Sequence, residues 1–122
     1  MYDEALAHEI LRQIRTAAQK IIDRSSTIAV PDDFARTPGG MTLFDAVCMQ
    51  CMVVGELIKT LDKVTSGELL PRYPSVDWKK AMGMRDIIGH HYAEIRADIV
   101  LATCKEKIPG LLRTIDDMLR SS

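Results

Sequence analysis

The 122-residue sequence is short of net charge, of cysteine and of long apolar runs, and each shortage excludes a class of protein. Lys and Arg total 16 against 17 Asp and Glu, a formal net charge of −1, so there is no global basic field to act as an electrostatic footprint for nucleic acid. The imbalance is local. Residues 1–62 hold 6 basic and 9 acidic side chains while residues 63–122 hold 10 and 8, which places any anion site in the second half. Three cysteines are an odd number and too few for a disulfide-stapled scaffold, as in a reducing, cytoplasmic compartment. Inside the most apolar segment the charge-free stretch runs only from Ala46 to Gly55, short of the ~18 residues that span a bilayer, so neither a transmembrane helix nor a membrane partner is expected. The opening Met1-Tyr2-Asp3-Glu4 puts acids where an export signal has bases, and no apolar stretch follows. With 47% hydrophobic and 27% charged residues, the expectation is one globular domain over 1–122.

What is present is helical periodicity. Ala7, Ile10, Leu11, Ile14, Ala17, Ala18, Ile21 and Ile22 repeat at the spacing of one helical face, predicting a first helix over 3–24. Ser25 to Gly40 carries two prolines and a Gly-Gly pair without a sustained period and reads as a long loop, 25–41, crossing the bundle or forming a flap. Thr42-Leu43-Phe44-Asp45 resembles a capping box and predicts a second helix from 43 to about 65, ended by Ser66-Gly67. Pro71 and Pro74 interrupt helix, Ser75 is the expected cap of a third helix reaching about Ile95, and Asp77 falls in its first turn. Ile99 to Leu119 reads as one helix bent at Pro109, or two meeting there. No alternating strand pattern, internal repeat or low-complexity segment occurs, so the fold class is all-α, a bundle of four or five helices.

Most chemistry-bearing residues have an ordinary explanation. Cys48-x-x-Cys51 lacks the two further ligands a zinc site needs, and amid Val47, Met49, Met52 and Val53 it reads as small core side chains; Cys104 reads the same way. Met49, Met52, Met82, Met84 and Met118 read as core filling, and His8 as a solvated residue of the first helix. No metal or other cofactor is called for.

One segment stands apart: Arg85-Asp86-Ile87-Ile88-Gly89-His90-His91-Tyr92 sets a fixed cation, two imidazoles and a phenol within about two helical turns. At ~100° per residue Tyr92 falls about 20° from Arg85, but His90 falls about 140° away. One rigid helix therefore cannot aim Arg85 and His90 at the same atom without the reach of Arg85, distortion at Gly89 or a second subunit. Taken alone, the segment also fits a plain structural reading in which Arg85 pairs with a carboxylate, Tyr92 is a half-buried ring and the histidines are solvated.

The neighbouring words set that segment in context. Tyr73-Pro74-Ser75-Val76-Asp77-Trp78-Lys79-Lys80, Gly83-Met84-Arg85-Asp86-Ile87-Ile88 and His90-His91-Tyr92, with Val54-Gly55-Glu56 before them and Ile108-Pro109-Gly110-Leu111 after, resemble the HepT-like ribonuclease toxins of the HEPN superfamily over about residues 3–120. The resemblance implies a helical bundle that forms a homodimer, with Arg and His of each subunit meeting in an interface cleft. Position by position, Arg85 and His90 match the catalytic pair, and Tyr92 matches the tyrosine that a minimal nucleotidyltransferase antitoxin modifies with AMP. Asp86 and His91 stand as flanking support. Asp86 is where family members often have Asn, and Arg96 and Leu101 replace an acid and a Trp common there.

The implied reaction needs no metal, because RNA carries its own nucleophile in the 2′-OH. An imidazole with an ordinary pKa of about 6.5 exchanges protons at neutral pH, and a guanidinium suits the charge of a five-coordinate phosphorus. Lys79 and Lys80 are candidates for flanking phosphates, or an ordinary solvated face. The expected function is a metal-independent RNA endonuclease toxin leaving a 2′,3′-cyclic phosphate, its partners RNA and a nucleotidyltransferase antitoxin. The competing readings are a non-catalytic helical partner or nucleotide-binding module of that nucleotidyltransferase, and a purely structural helical dimer.

Overall fold

The computed structural model describes residues 2–91 and 94–121, with the backbone alone described at 87 and 89–91. Helix α1, Glu4–Ser25, is capped by Asp3, whose carboxylate accepts from the Leu6 amide at 3.0 Å. Helix α2 is Pro38–Val64, α3 is Trp78–His91, α4 is Ala97–Ala102 and α5 is Ile108–Arg120. Short 3₁₀ turns at Pro31–Phe34 and Leu70–Arg72 fill two of the connections, and the described residues contain no strand. The fold is all-α, as expected.

Helix α2 is central, with α1 packed along it on one side and α3 on another, while α5 closes against α1. One core joins Ile10, Ile14 and Ile21 of α1, Val47, Val54, Ile58 and Leu61 of α2, and Ile108, Ile115 and Met118 from the last helical stretch. Of the described helices, α2 is long and apolar enough to cross a membrane by length and composition. That qualifies the expectation drawn from charge-free runs, since a lone Asp45 interrupts its first half without making it polar. Here that apolar length packs between helices.

The long loop is shorter than 25–41 because its end is helical. Thr37, not Thr42, caps α2, accepting from the Gly40 amide at 3.0 Å, and Pro38 follows with its fixed φ at the first helical position. Thr42 lies one turn inside, its hydroxyl donating to the Pro38 carbonyl at 3.0 Å. Gly40 is helical and needed for contact: a Cβ there would lie 2.1 Å from the Asp33 carbonyl oxygen, so the Pro31–Phe34 turn seats directly on the helix start. Gly67, at φ 71°, ends α2 by donating to the Asp62 carbonyl at 2.9 Å, as Ser66-Gly67 suggested.

Helix α3 is capped by Asp77 rather than Ser75. The Lys80 amide donates to the Asp77 carboxylate at 3.1 Å, whereas the Ser75 hydroxyl lies 3.4 Å from that of Thr114. The helix is described as far as His91, and Ile95 lies outside it. At the far end α4 runs through a π-helical stretch, Thr103–Lys107, into α5, so two helices do join near Pro109, which lies in the first turn of α5. A proline has no N–H for the carbonyl four residues back and its ring crowds that group, so the widened turn lies where Pro109 demands it.

Candidate active site

Helices α2 and α3 touch backbone to backbone at one point. A Cβ built on Gly55 would lie 2.9 Å from the Arg85 amide nitrogen and 3.2 Å from the Ala81 carbonyl oxygen, so a glycine is what lets α3 seat this deeply. That contact sets Glu56, the next residue of α2, level with Arg85: the carboxylate lies 3.3 Å from Arg85 Nε. One turn further along α2, Lys59 Nζ donates to the Asp86 carboxylate at 3.2 and 3.4 Å. Arg85 Nη1 donates to Asp86 Oδ1 at 3.2 Å and closes the arrangement.

Lys59, Asp86, Arg85 and Glu56 thus form a line of alternating charge across the helix seam. All four are partly exposed, with side-chain exposures of 39, 49, 44 and 58% in that order, so the ion pairs orient more than they stabilise. Glu56 takes the Nε position of Arg85 and Asp86 takes Nη1. A guanidinium carries five N–H donors in a planar fork, more than these two contacts use. Lys59 foremost, then Arg85, hold the Asp86 carboxyl below the usual carboxylate range, so Asp86 accepts hydrogen bonds at neutral pH and has no proton to give.

The plain structural reading of Arg85 is therefore correct in part, since it does pair with carboxylates. The side chains of His90 and His91, and the whole of Tyr92, lie outside the described residues; α3 remains helical through His91. Lys79 and Lys80 are exposed in the first turn of α3 and do not join the Arg85 line among the described residues. Lys59 was not expected, because no spacing along the chain connects residue 59 to residue 86; only the crossing at Gly55 does. Glu56 entered only as a landmark beside Gly55.

The other candidates fall away from catalysis. Cys48, Cys51 and Cys104 are free and buried, and burial pushes all three thiols up, Cys48 to about 12, so none supplies a thiolate nucleophile. Met118 is core, but Met49 is 57% exposed and corrects its expected place there. His8 lies beside Arg12, Nδ1 2.7 Å from Nη1. Arg96 pairs with Asp98 at 2.6 Å and Leu101 is buried, so both serve α4. Among the described residues no group of three His, Cys, Asp or Glu stands close enough to hold a metal ion.

The all-α bundle thus presents an arginine, paired with two carboxylates and 44% exposed, at the seam of α2 and α3. The family identity follows from comparison: the profile described as "Ribonuclease HepT-like" matches residues 9–118, and the chain belongs to the HepT-like ribonuclease family. A protein of Caldanaerobacter subterraneus subsp. tengcongensis that carries a provisional RNase name is 28% identical over 110 residues, covering 90% of this chain and 91% of the relative. A second with such a name, from Methanocaldococcus jannaschii, is 29% identical over 75 residues, covering 62% of this chain and 59% of the relative. No solved structure matches. The class of enzyme is ribonuclease.

Proposed function

We propose that the protein is an RNA endonuclease that works without a metal, with Arg85 as charge clamp and His90 as proton-transfer group. In this reading the 2′-OH of the substrate attacks the adjacent phosphorus and the bond to the 5′-oxygen breaks. The 2′-OH proton passes to an imidazole, the departing 5′-oxygen gains a proton, and the products are a 2′,3′-cyclic phosphate and a 5′-OH. The observation that carries the proposal is the placement of Arg85, held from the Nε and Nη1 positions by Glu56 and Asp86 at a solvent-facing seam. An arginine fixed by neighbours before substrate arrives stabilises transition-state charge with little reorganisation. Asp86 stays ionised, so the proton work falls to an imidazole.

The same reading makes the enzyme a homodimer, since Arg85 and His90 diverge by about 140° around one helix and a second copy brings both groups to one phosphate. Met49 supports this: it is exposed, and at seven residues before Glu56 it falls on the same stripe of α2. A second copy covering that stripe would border the Arg85 seam. The three buried, unpaired thiols fit a reducing cytoplasm. The regulatory part of the proposal is a toxin–antitoxin pair in which a nucleotidyltransferase transfers AMP to Tyr92, seven residues after Arg85 in the sequence, so that the added phosphodiester and nucleoside obstruct the phosphate site. Lys79 and Lys80 are placed as contacts to flanking phosphates.

The test is cleavage of a 3′-dye-labelled RNA pool by purified protein in EDTA, with the product ends identified by mass. Cleavage that persists, yields cyclic phosphate and falls by about 10²-fold or more in Arg85→Ala is the expected outcome. Activity that EDTA abolishes and a divalent ion restores defeats the metal-free mechanism, and an unaffected Arg85→Ala defeats the site.

A further inference from the structure

Resting on the proposed role of Arg85, we infer that Lys59 is a positioning residue for that arginine, acting through Asp86 as the counter-ion that keeps Arg85 available to a phosphate. The observation is the order of charges across the seam: Lys59 Nζ lies 3.2 Å from Asp86 Oδ2, Asp86 Oδ1 takes Arg85 Nη1 at 3.2 Å, and Glu56 lies 3.3 Å from Arg85 Nε. Arg85 has two carboxylates against it and would be outnumbered on its own. Lys59 restores the balance, so the group of four is neutral, and the carboxylate next to Arg85 is already satisfied from the other side.

Position 86 carries a carboxylate. A neutral amide there needs no counter-ion. An anion does, and α2 supplies it from one turn past the Gly55 crossing. Removing the lysine charge leaves a net −1 beside an incoming phosphate and frees Asp86 to draw Arg85 toward itself. Both effects weaken the Michaelis complex and leave the proton-transfer step in place, so the loss belongs mainly in KM. Glu56 takes the Nε side of Arg85 and gives the arrangement its second fixed point.

Four variants assayed on a dye-and-quencher-labelled pool of single-stranded RNA test the inference. Lys59→Gln should raise KM about three- to fivefold with kcat nearly unchanged, the scale expected for half-exposed charge pairs. Lys59→Arg should return KM toward wild type, because a guanidinium reaches the same carboxylate. Lys59→Gln combined with Asp86→Asn should also return KM toward wild type, since the group of four is again neutral. A double variant as impaired as Lys59→Gln alone would mean that Lys59 grips RNA itself, and would overturn the positioning role. Equal KM for Lys59→Gln and wild type would overturn it too, whatever happens to Tm. Arg85→Ala separates the levels: if it cleaves normally the site assignment has failed, and if it is inactive while Lys59→Gln is unchanged, only the inference about Lys59 has failed.

Discussion

An arginine touching two carboxylates is oriented by them, and its chemistry depends on what those carboxylates do with their own charge. Asp86 is held below its ordinary range by Lys59 first and Arg85 second, so the pair is intact wherever a free carboxylate is ionised and is lost only as acid protonates Asp86 below that ordinary range. A change in cleavage rate between about pH 5 and 8 therefore reports an imidazole and not this carboxylate. His90→Ala should abolish that dependence along with the activity, by about 10²-fold or more, while His91→Ala keeps most of both. Melting temperature and helical circular dichroism of the two variants should stay near wild type. Equal loss in both would remove the reason for choosing between the adjacent histidines. The legibility of this site was uneven at the scale of residues. Arg85 and His90 drew attention because they share one helix and lie in words that resemble a family motif. Lys59 did not, because its partner is 27 positions away and proximity comes from a helix crossing.

At the scale of elements, apolar periodicity located the helices and local polar chemistry misplaced their starts. Asp3, Thr37 and Asp77 make the capping bonds, while Thr42 and Ser75, equally suitable by composition, do not. A hydroxyl becomes a cap only where the chain enters from outside the helix, and packing decides that, as when the Pro31–Phe34 turn comes to rest on Gly40. Two glycines in helix interiors give a matched test of how packing overrides propensity. Gly83 has nothing within 4 Å of an added Cβ, so Gly83→Ala should gain the ordinary helix preference, about 0.5–1 kcal/mol. Gly55 meets the Arg85 amide nitrogen at 2.9 Å, and Gly55→Ala must push α3 away from α2 at an overpacking cost of about 1–3 kcal/mol, which outweighs the same preference. Thermal melts should move in opposite directions, Gly83→Ala up and Gly55→Ala down, and Gly55→Ala should also lose cleavage because Glu56 and Lys59 move with the seam. A stabilised Gly55→Ala would show that the crossing has slack and that the glycine is not what seats Arg85.

For the whole molecule, the arrangement leaves one geometric problem, which the proposed dimer answers. Helix α3 is regular through His91, so Arg85 and His90 stay about 140° apart around its axis. A phosphate gripped by one chain's Arg85 is then best served by the histidine of a second chain, and two-fold symmetry gives two such composite sites per dimer. Light scattering should report about twice 13.6 kDa at micromolar concentration. Mass alone does not show that the copies share a site, but mixing inactive variants does. If Arg85→Ala and His90→Ala are each inactive and their subunits are exchanged at equal amounts, half of the dimers are mixed, and each mixed dimer carries one doubly damaged site and one intact site. About a quarter of wild-type activity should return, rising with the time allowed for exchange. If native mass spectrometry shows mixed dimers and no activity returns, each chain supplies both groups to its own site. The divergence of Arg85 and His90 must then be bridged within one subunit, by the reach of the arginine or by a change of helix geometry at Gly89.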